Sequence, residues 1–326
     1  MAKKDFPFRR YAGSIAWMNR SLPSRHRLPL TALSAGVGLW LACGWAGAQL
    51  VGSFRYQPDG RVGLSVRNEM DAASARARRW LVATQLENGA WESTNACGAT
   101  ALAALALGGG GEADVAASMR AIAWLRGLPD ETLAAALPEE RAWRRLALVV
   151  SGEAVPEEEP ADVEEDLPLP AWAVENLSRI ENGAPLRSPS EGVLPEGWLE
   201  RLAFSLSLPA EAGQRPSVRE ALAAELASAF QKGGMPVDSG YGACRQRWFL
   251  AHFLNVCCNG ILVDADTAMR LPWREEVAGR LVAEQRVDPE HPGAGYWQGG
   301  EDARAADWAA GAVPETAFAI LALDEL

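Results

Sequence analysis

The chain has few of the residues that build metal and redox sites. It contains three histidines and five cysteines among 326 residues, and no two cysteines have the C-x-x-C spacing. Zinc ribbons and thioredoxin-type motifs are therefore excluded. A catalytic zinc ion needs about three protein ligands, and the sequence does not group its histidines and cysteines into such a set. We predict no bound metal and no cofactor.

The motifs of common hydrolases and nucleotide-binding proteins are also missing. The chain contains no H-E-x-x-H helix, no serine-histidine-aspartate order and no lysine-containing phosphate loop. Its 31 basic residues are outnumbered by 42 acidic residues, so the net charge is −11. A protein this acidic lacks the basic surface that nucleic acids require, and we expect no nucleic-acid partner.

The charge is distributed unevenly along the chain. Residues 1–27 carry a net charge of +6, and residues 28–54 contain no charged side chain. A run of this length crosses a hydrocarbon layer of about 30 Å as a helix, and a basic flank stays in the cytoplasm. We predict a single-pass inner-membrane protein with a basic cytoplasmic tail at 1–27, a bilayer-embedded anchor at 28–54 and a periplasmic C-terminal domain.

Two interpretations of the hydrophobic segment fit the sequence. Ala46-Gly47-Ala48 matches an A-x-A site, and cleavage after Ala48 would make the segment a signal peptide. The 27-residue region before it is long for a signal peptide, which favours an uncleaved anchor. Beyond this segment we predict a linker at 55–71 and one domain at 72–326.

The apolar segments of this domain are long and are bounded by glycine or proline. They are rich in alanine, leucine, glutamate and arginine. These features predict helices rather than alternating strands, so the predicted fold class is all-α. Residues 152–170 differ because they hold eight acidic residues and four prolines. The acidic side chains repel one another and the prolines interrupt helices, so we predict an acidic loop there.

The domain contains an internal repeat. The sequence LVATQ at 81–85 recurs as LVAEQ at 281–285, and each copy is followed by a glycine-aromatic turn that contains Trp91 or Trp297. Each turn leads into an alanine- and leucine-rich helix led by threonine. A fainter third copy covers 226–245. The repeat predicts helical hairpins in which buried inner helices alternate with amphipathic outer helices.

These motifs resemble the prenyltransferase/squalene oxidase repeat. The resemblance is specific at 72–107 and 273–323 and diffuse between them. It implies an (α/α) toroid-like barrel of helical hairpins, as in terpenoid cyclases and protein prenyltransferase β subunits. It also implies that the glutamine and tryptophan of each repeat, Gln85, Trp91, Gln285 and Trp297, bridge neighbouring helices and are structural.

The resemblance also implies where catalytic acids would lie. Class II terpene cyclases protonate an alkene with an acid in the motif Asp-x-Asp-Asp-Thr-Ala, and this chain has Val-Asp-Ala-Asp-Thr-Ala at 263–268. The central donor position is therefore occupied by Ala265. Asp264 and Asp266 are the catalytic candidates. The competing interpretation is that both cap a helix beginning near Thr267.

Three functions are compatible with these observations. The leading hypothesis is a membrane-anchored, non-catalytic binding or scaffold domain that holds an isoprenoid or other lipid and contacts a membrane protein. The second is a divergent terpene cyclase that uses Asp264 or Asp266. The third is a glycan-processing toroid, which is suggested by acids near two tryptophans. The acids are Glu301, Asp302 and Asp307, and the tryptophans are Trp297 and Trp308. A zinc-dependent protein prenyltransferase is disfavoured because the loop at 287–300 contains no cysteine.

Overall fold

A computed structural model describes most of the C-terminal domain. The described residues are 62–153, 168–182, 195–207, 215–238, 241–264, 266–299 and 308–326. The α-helices within these ranges are α1 Leu64–Thr84, α2 Ala96–Gly108, α3 Glu112–Arg126, α4 Asp130–Ala135, α5 Pro138–Val150, α6 Leu169–Glu181, α7 Trp198–Ser207, α8 Arg215–Gly233, α9 Ala243–Cys258, α10 Trp273–Glu284 and α11 Ala312–Glu325.

The all-α prediction is confirmed for the described part of the chain. The remaining regular elements are a 3₁₀ turn at Trp308–Ala310 and a strand pair, β1 Arg286–Val287 and β2 Gly295–Tyr296. These strands are antiparallel and only two residues long. A pair this short joins the two ends of one loop and adds no sheet layer.

The most apolar helices are buried on all sides. In α2 the buried residues include Ala99, Leu102 and Leu107, and in α11 they include Phe318 and Ile320. Small alanine side chains let neighbouring helices approach closely, and the larger side chains fill the remaining space. Because both helices lack a polar face, each needs protein on every side.

Six helices pack side by side in a closed circuit. In order, α2 contacts α5, α5 contacts α6, α6 contacts α7, α7 contacts α9, α9 contacts α11, and α11 returns to α2. Helices α1, α3, α8 and α10 pack against members of this circuit. The core therefore lies between helices that are distant in sequence.

Buried glutamates join the N-termini of the circuit helices. Glu140 in the first turn of α5 accepts hydrogen bonds from its own cap, Leu137 N, at 2.9 Å and from Gly98 N of α2 at 3.2 Å. Glu315 in the first turn of α11 accepts from Cys244 N of α9 at 3.0 Å. A carboxylate at a helix N-terminus pairs with free N–H groups and with the positive end of the helix dipole. These contacts place neighbouring N-termini together.

Trp91 and Trp297 make the same contacts in the two clear copies of the repeat. Trp91 Nε1 donates a hydrogen bond to Leu81 O at 2.9 Å, and Trp297 Nε1 donates to Leu281 O at 2.8 Å. The backbone N–H of each tryptophan donates to a threonine hydroxyl of the following helix, Thr100 and Thr316. Each indole thus links the helix before its turn, α1 or α10, to the helix after it, α2 or α11.

Gln85 and Gln285 each hydrogen-bond to a helix that packs against the six-helix circuit. Gln85 Nε2 donates to Ala117 O of α3 at 2.9 Å, and Gln285 Nε2 donates to Ala73 O of α1 at 2.8 Å. An arginine one turn further along each receiving helix donates back to the glutamine oxygen; these are Arg120 and Arg76. Because Gln285 follows α10, this contact joins the end of the domain to its beginning.

The N-terminal boundary differs from the prediction. Helix α1 begins at Leu64, eight residues before the predicted start of the domain at 72. Its added first turns place Met70 in the core, so packing extends the helix into the predicted linker. Most of the predicted acidic loop, at 154–167, lies outside the described residues.

The predicted membrane anchor is not part of the described structure. Residues 28–54 lie outside it. Among the residues that are described, no helix combines the length and the hydropathy that a bilayer span requires.

Candidate functional site

A cavity of about 870 Å³ lies among the C-terminal ends of the circuit helices. Helices α2, α5, α9 and α11 all contribute residues from their second halves. Since the N-termini of these helices also meet in pairs, the four helices run parallel with the cavity at one end. The lining residues used below are Arg67, Arg78, Ile122, Trp143, Leu146, Val150, Trp248, Asn255, Arg274, Asp324 and Glu325.

The inner wall of the cavity is apolar and aromatic. Trp143 of α5 and Trp248 of α9 have ring centroids 5.2 Å apart, and Phe318 of α11 packs edge-on against Trp143 at 5.4 Å. Ile122 and Leu146 extend this surface. Such a wall offers mainly dispersion contacts, so it suits the apolar part of a ligand.

The buried ion pair between Arg245 and Glu139 fixes the position of Trp143. Arg245 donates two hydrogen bonds to the carboxylate of Glu139, both at 2.7 Å. The indole N–H groups of Trp143 and Trp308 donate to the same carboxylate at 3.4 and 3.3 Å. Burying a carboxylate is tolerable when cation and donors surround it. This network fixes the orientation of the aromatic wall.

Two arginines at the cavity rim, Arg78 and Arg274, donate hydrogen bonds to backbone carbonyls at the ends of helices. Arg78 donates to Ala106 O near the end of α2 and pairs with Asp324 at 2.7 Å. Arg274 donates to Gly260 O just beyond α9 at 2.6 Å and to Asn255 Oδ1 at 2.7 Å. These cations compensate the negative helix C-termini. Arg78 and Arg274 are therefore neutralised by groups of the protein itself, whereas Arg67, the third lining arginine, is exposed on α1.

Asp324 is closely surrounded by protein, but its side chain remains in contact with solvent. Burial of its surroundings raises the pKa of this carboxyl, and the nearby Arg78 guanidinium opposes that rise. Its side chain nevertheless keeps 45% of its surface exposed. Asp324 is therefore a rim group that pairs with Arg78.

Glu325 is held by side chains of α9. His252 Nδ1 lies 2.8 Å from Glu325 Oε1, and Asn255 Nδ2 donates to Glu325 Oε2 at 3.0 Å. The His252 ring stacks on Trp248, with centroids 5.3 Å apart. Burial raises the pKa of Glu325, but the hydrogen bonds from His252 and Asn255 outweigh burial and hold the pKa below the ordinary 4.5.

This depressed pKa makes the stability of the domain depend on pH. A carboxyl with a lower pKa when folded stabilises the fold above its unfolded pKa and loses that contribution as pH falls through the folded value. We expect Glu325→Gln to lower the free energy of unfolding at pH 7 by about 1–2 kcal/mol. The difference from wild type should shrink below pH 4.5, the ordinary value.

Urea unfolding at pH 7 and at acidic pH measures this effect. Glu290→Gln is the matched control, because Glu290 is exposed and its side chain lies away from the cavity. The control should match wild type at both pH values. An equal loss for Glu325→Gln at both pH values would contradict the assigned role of the Glu325 carboxylate.

Asp264 stabilises a turn between α9 and α10. Thr267 Oγ1 donates to Asp264 Oδ2 at 2.6 Å, and the backbone N–H groups of Asp266 and Thr267 donate to Oδ1 at 2.8 and 3.3 Å. The Thr267 hydroxyl, followed by these N–H groups, lowers the pKa of Asp264. Asp264 is not among the cavity-lining residues. The catalytic role of Asp264 and Asp266 stays a prediction.

The helix expected near Thr267 does not form. Val263 and Arg270 form an isolated antiparallel bridge, Asp264 N donates to Met269 O at 2.9 Å, and Ala268 has a left-handed φ of 56°. The carboxylate of Asp264 therefore closes a tight hairpin turn instead of capping a helix. The next helix, α10, begins at Trp273.

The residues that suggested glycan chemistry divide into two groups. Glu301, Asp302 and Asp307 lie outside the described residues. Trp297 and Trp308 are described and are buried, with 2% and 8% of their surface exposed. Across the described ranges, no three His, Cys, Asp or Glu side chains form a group that could hold a metal ion.

Sequence analysis did not identify the residues around the cavity. Trp143, Trp248 and Glu325 carry no recognisable motif. The available indication was the concentration of tryptophan, 13 residues in the chain. That number alone does not distinguish a core tryptophan from a cavity-lining one.

Comparison with known proteins adds no relative from which a function could be transferred. The chain matches no protein-family model, no curated protein and no solved structure. The geometry of the cavity and the residues that line it remain as the indications of function.

Proposed function

We propose that this chain is a membrane-anchored α/α-toroid domain that binds a lipid, such as an isoprenoid, and does not catalyse its conversion. The observation that carries the proposal is the cavity of about 870 Å³ with an apolar and aromatic inner wall. Its volume lies within the roughly 300–1,000 Å³ of typical ligand sites. The domain would present the bound lipid to a membrane protein partner.

Two features support a toroid. The closed circuit of six helices corresponds to an inner ring. The hydrogen bond from Gln285 to Ala73 O links the last outer helix to the first. The repeat of Gln85 and Gln285, each contacting the next outer helix, is the pattern expected when hairpins follow one another around a ring.

The charges around the cavity support an uncharged buried ligand group. The lining acids are Asp324 and Glu325, and both have basic or amide partners. Two of the three lining arginines, Arg78 and Arg274, are bonded to helix C-termini, and the third, Arg67, is exposed on α1. A charged group buried at the aromatic wall would pay a large desolvation cost. An alkyl or isoprenoid chain carries no such cost.

The position of the cavity in the chain supports access to the bilayer. Arg67 at the rim is 13 residues beyond the end of the predicted anchor at 54. A chain of that length spans at most about 45 Å. An anchored domain would therefore keep its cavity within reach of membrane lipids.

A cavity-filling substitution tests the proposal. Val150 lines the cavity and is partly exposed, so Val150→Trp should occupy ligand space without a steric conflict in the core. The full-length chain in lipid nanodiscs is irradiated with a diazirine-bearing long-chain alcohol, and the labelled peptides are mapped by mass spectrometry. We expect labels near Leu146 and Trp248 that farnesol removes by competition.

Val149→Trp is the matched control, since Val149 is the neighbouring residue on α5 and does not line the cavity. Val150→Trp should reduce labelling of the cavity by about tenfold, equivalent to 1.4 kcal/mol of binding. Val149→Trp should leave it unchanged. Labelling confined to the segment at 28–54, or labelling of the cavity that Val150→Trp leaves intact, would refute the proposal.

A further inference from the structure

A second, smaller cleft adjoins the cavity. It has a volume of about 490 Å³ and lies between α1, the glycine turn after α2 and the end of α11. The cleft and the cavity share four lining residues, Arg78, Gly109, Gly110 and Asp324. The two spaces therefore adjoin at the Arg78–Asp324 ion pair, whose atoms are 2.7 Å apart.

The cleft differs chemically from the cavity. Its side chains include Asp71, Ser74, Arg79 and Asp114, together with the shared ion pair, and the three glycines at 109–111 expose backbone. Large apolar side chains are few; Met70 and Leu323 lie at its base and are buried. The cleft thus offers hydrogen-bond donors and acceptors directly beside an apolar cavity.

We propose that the cleft and the cavity form one site for an amphiphile with an uncharged, hydroxyl-rich headgroup, such as a sugar or glycerol. The headgroup occupies the cleft and the apolar tail occupies the cavity. This inference rests on the proposed lipid-binding function and names the chemical class of the lipid.

The charges of the cleft select this headgroup. Its three aspartates outnumber its two arginines, and Arg78 is already bonded to Ala106 O and Asp324. A phosphate would meet a net negative surface. A quaternary ammonium group could pair with a carboxylate, but it has neither a hydrogen-bond donor nor an acceptor and would form no hydrogen bond with Ser74 or Arg79. A hydroxyl both donates to carboxylates and accepts from guanidinium groups, so a polyol satisfies both kinds of side chain.

Four photoreactive probes with the same alkyl chain test this inference. They carry a glucoside, a free alcohol, a phosphate or a trimethylammonium head, and each is applied to the full-length chain in nanodiscs. We expect the glucoside to label the cavity at about tenfold lower concentration than the alcohol. Unlabelled alkyl glucoside should compete, and free glucose should not.

Asp71→Asn tests the headgroup contact. Asp71 is exposed on α1, so its replacement should not affect folding. In this variant the glucoside probe should label the cavity only at about the concentration that the alcohol probe needs. Labelling by the alcohol probe should be the same as in the wild type. Glu69→Gln is the control, because Glu69 is an exposed acid on the same helix that lines neither space. It should preserve the preference.

The outcomes separate this inference from the proposed function. Cavity labelling by the alcohol with no preference for the glucoside would overturn the headgroup assignment alone. A preference for the phosphate or the ammonium probe would do the same. Competition by free glucose as effective as that by alkyl glucoside would show that the tail is not recognised and would overturn the two-part site. Failure of every probe to label the cavity would overturn the proposed function.

Discussion

Arg245→Ala should lower the free energy of unfolding by about 3–5 kcal/mol, the cost of leaving a buried charge without its partner. Arg245 and Glu139 are almost completely buried, with 3% and 6% of their surfaces exposed. Removing the guanidinium leaves the Glu139 carboxylate with only the weaker indole donors of Trp143 and Trp308. Urea unfolding monitored by circular dichroism measures the loss.

The double variant Arg245→Met with Glu139→Gln provides the control. Met fills much of the arginine volume, and Gln keeps an acceptor for the two indole N–H groups without a charge. We expect the double variant to regain most of the lost stability, because removing both charges removes the desolvation cost. A loss below about 1 kcal/mol for Arg245→Ala would show that solvent reaches Glu139, and would contradict its burial.

Trp91→Ala and Trp297→Ala should each destabilise the domain by about 3–5 kcal/mol. Both indoles are almost fully buried, with 1% and 2% of their surfaces exposed, and replacing them opens large cavities. Trp→Phe at either position keeps most of the packing and loses the hydrogen bond to the leucine carbonyl, which costs about 1–2 kcal/mol. Urea unfolding monitored by circular dichroism measures these losses in the free energy of unfolding.

Trp198→Ala is the comparison for these variants. Trp198 is only partly buried and stacks with Arg201, whose guanidinium lies 5.2 Å from the ring centroid. Its loss should cost about 1 kcal/mol, in line with an exposed cation–π contact. Because Trp91 and Trp297 make equivalent contacts, their alanine variants should agree closely. A large difference between them would argue against structural equivalence of the repeats.

The repeat was the most informative part of the sequence. Leucine, glutamine and tryptophan recur in the same order at 81–91 and 281–297, and in both copies the indole bonds to the leucine carbonyl. Such contacts are local: the tryptophan lies 10 residues from its acceptor in the first copy and 16 in the second. Local hydrogen bonds of this kind leave a recognisable pattern because the same residue types recur in the same order within a short segment.

The turn at Asp264 illustrates where pattern reasoning failed. Asp266 and Thr267 were compatible with a helix start, yet the chain forms a hairpin bridge between Val263 and Arg270. Helix capping and tight turns use the same residue types, because both require a short side-chain acceptor for backbone N–H groups. The local sequence therefore did not distinguish the two.

The cavity could not be predicted because its walls come from distant segments. Arg78 and Asp324, which pair at its rim, are 246 residues apart in the chain. Trp143 and Trp248 meet only because α5 and α9 run parallel within the same circuit. No spacing rule connects such residues, since their proximity depends on how every intervening helix packs.

The sequence by itself determined the helical class and the repeated hairpin, because these depend on residue patterns within about 20 positions. It also identified the hydrophobic segment at 28–54 and the uneven charge. Only the tertiary structure decided which helices adjoin, that Gln285 reaches Ala73, and that an apolar cavity lies beside a polar cleft. Burial and ion pairing across the circuit are collective properties of the packed helices, and no single segment encodes them.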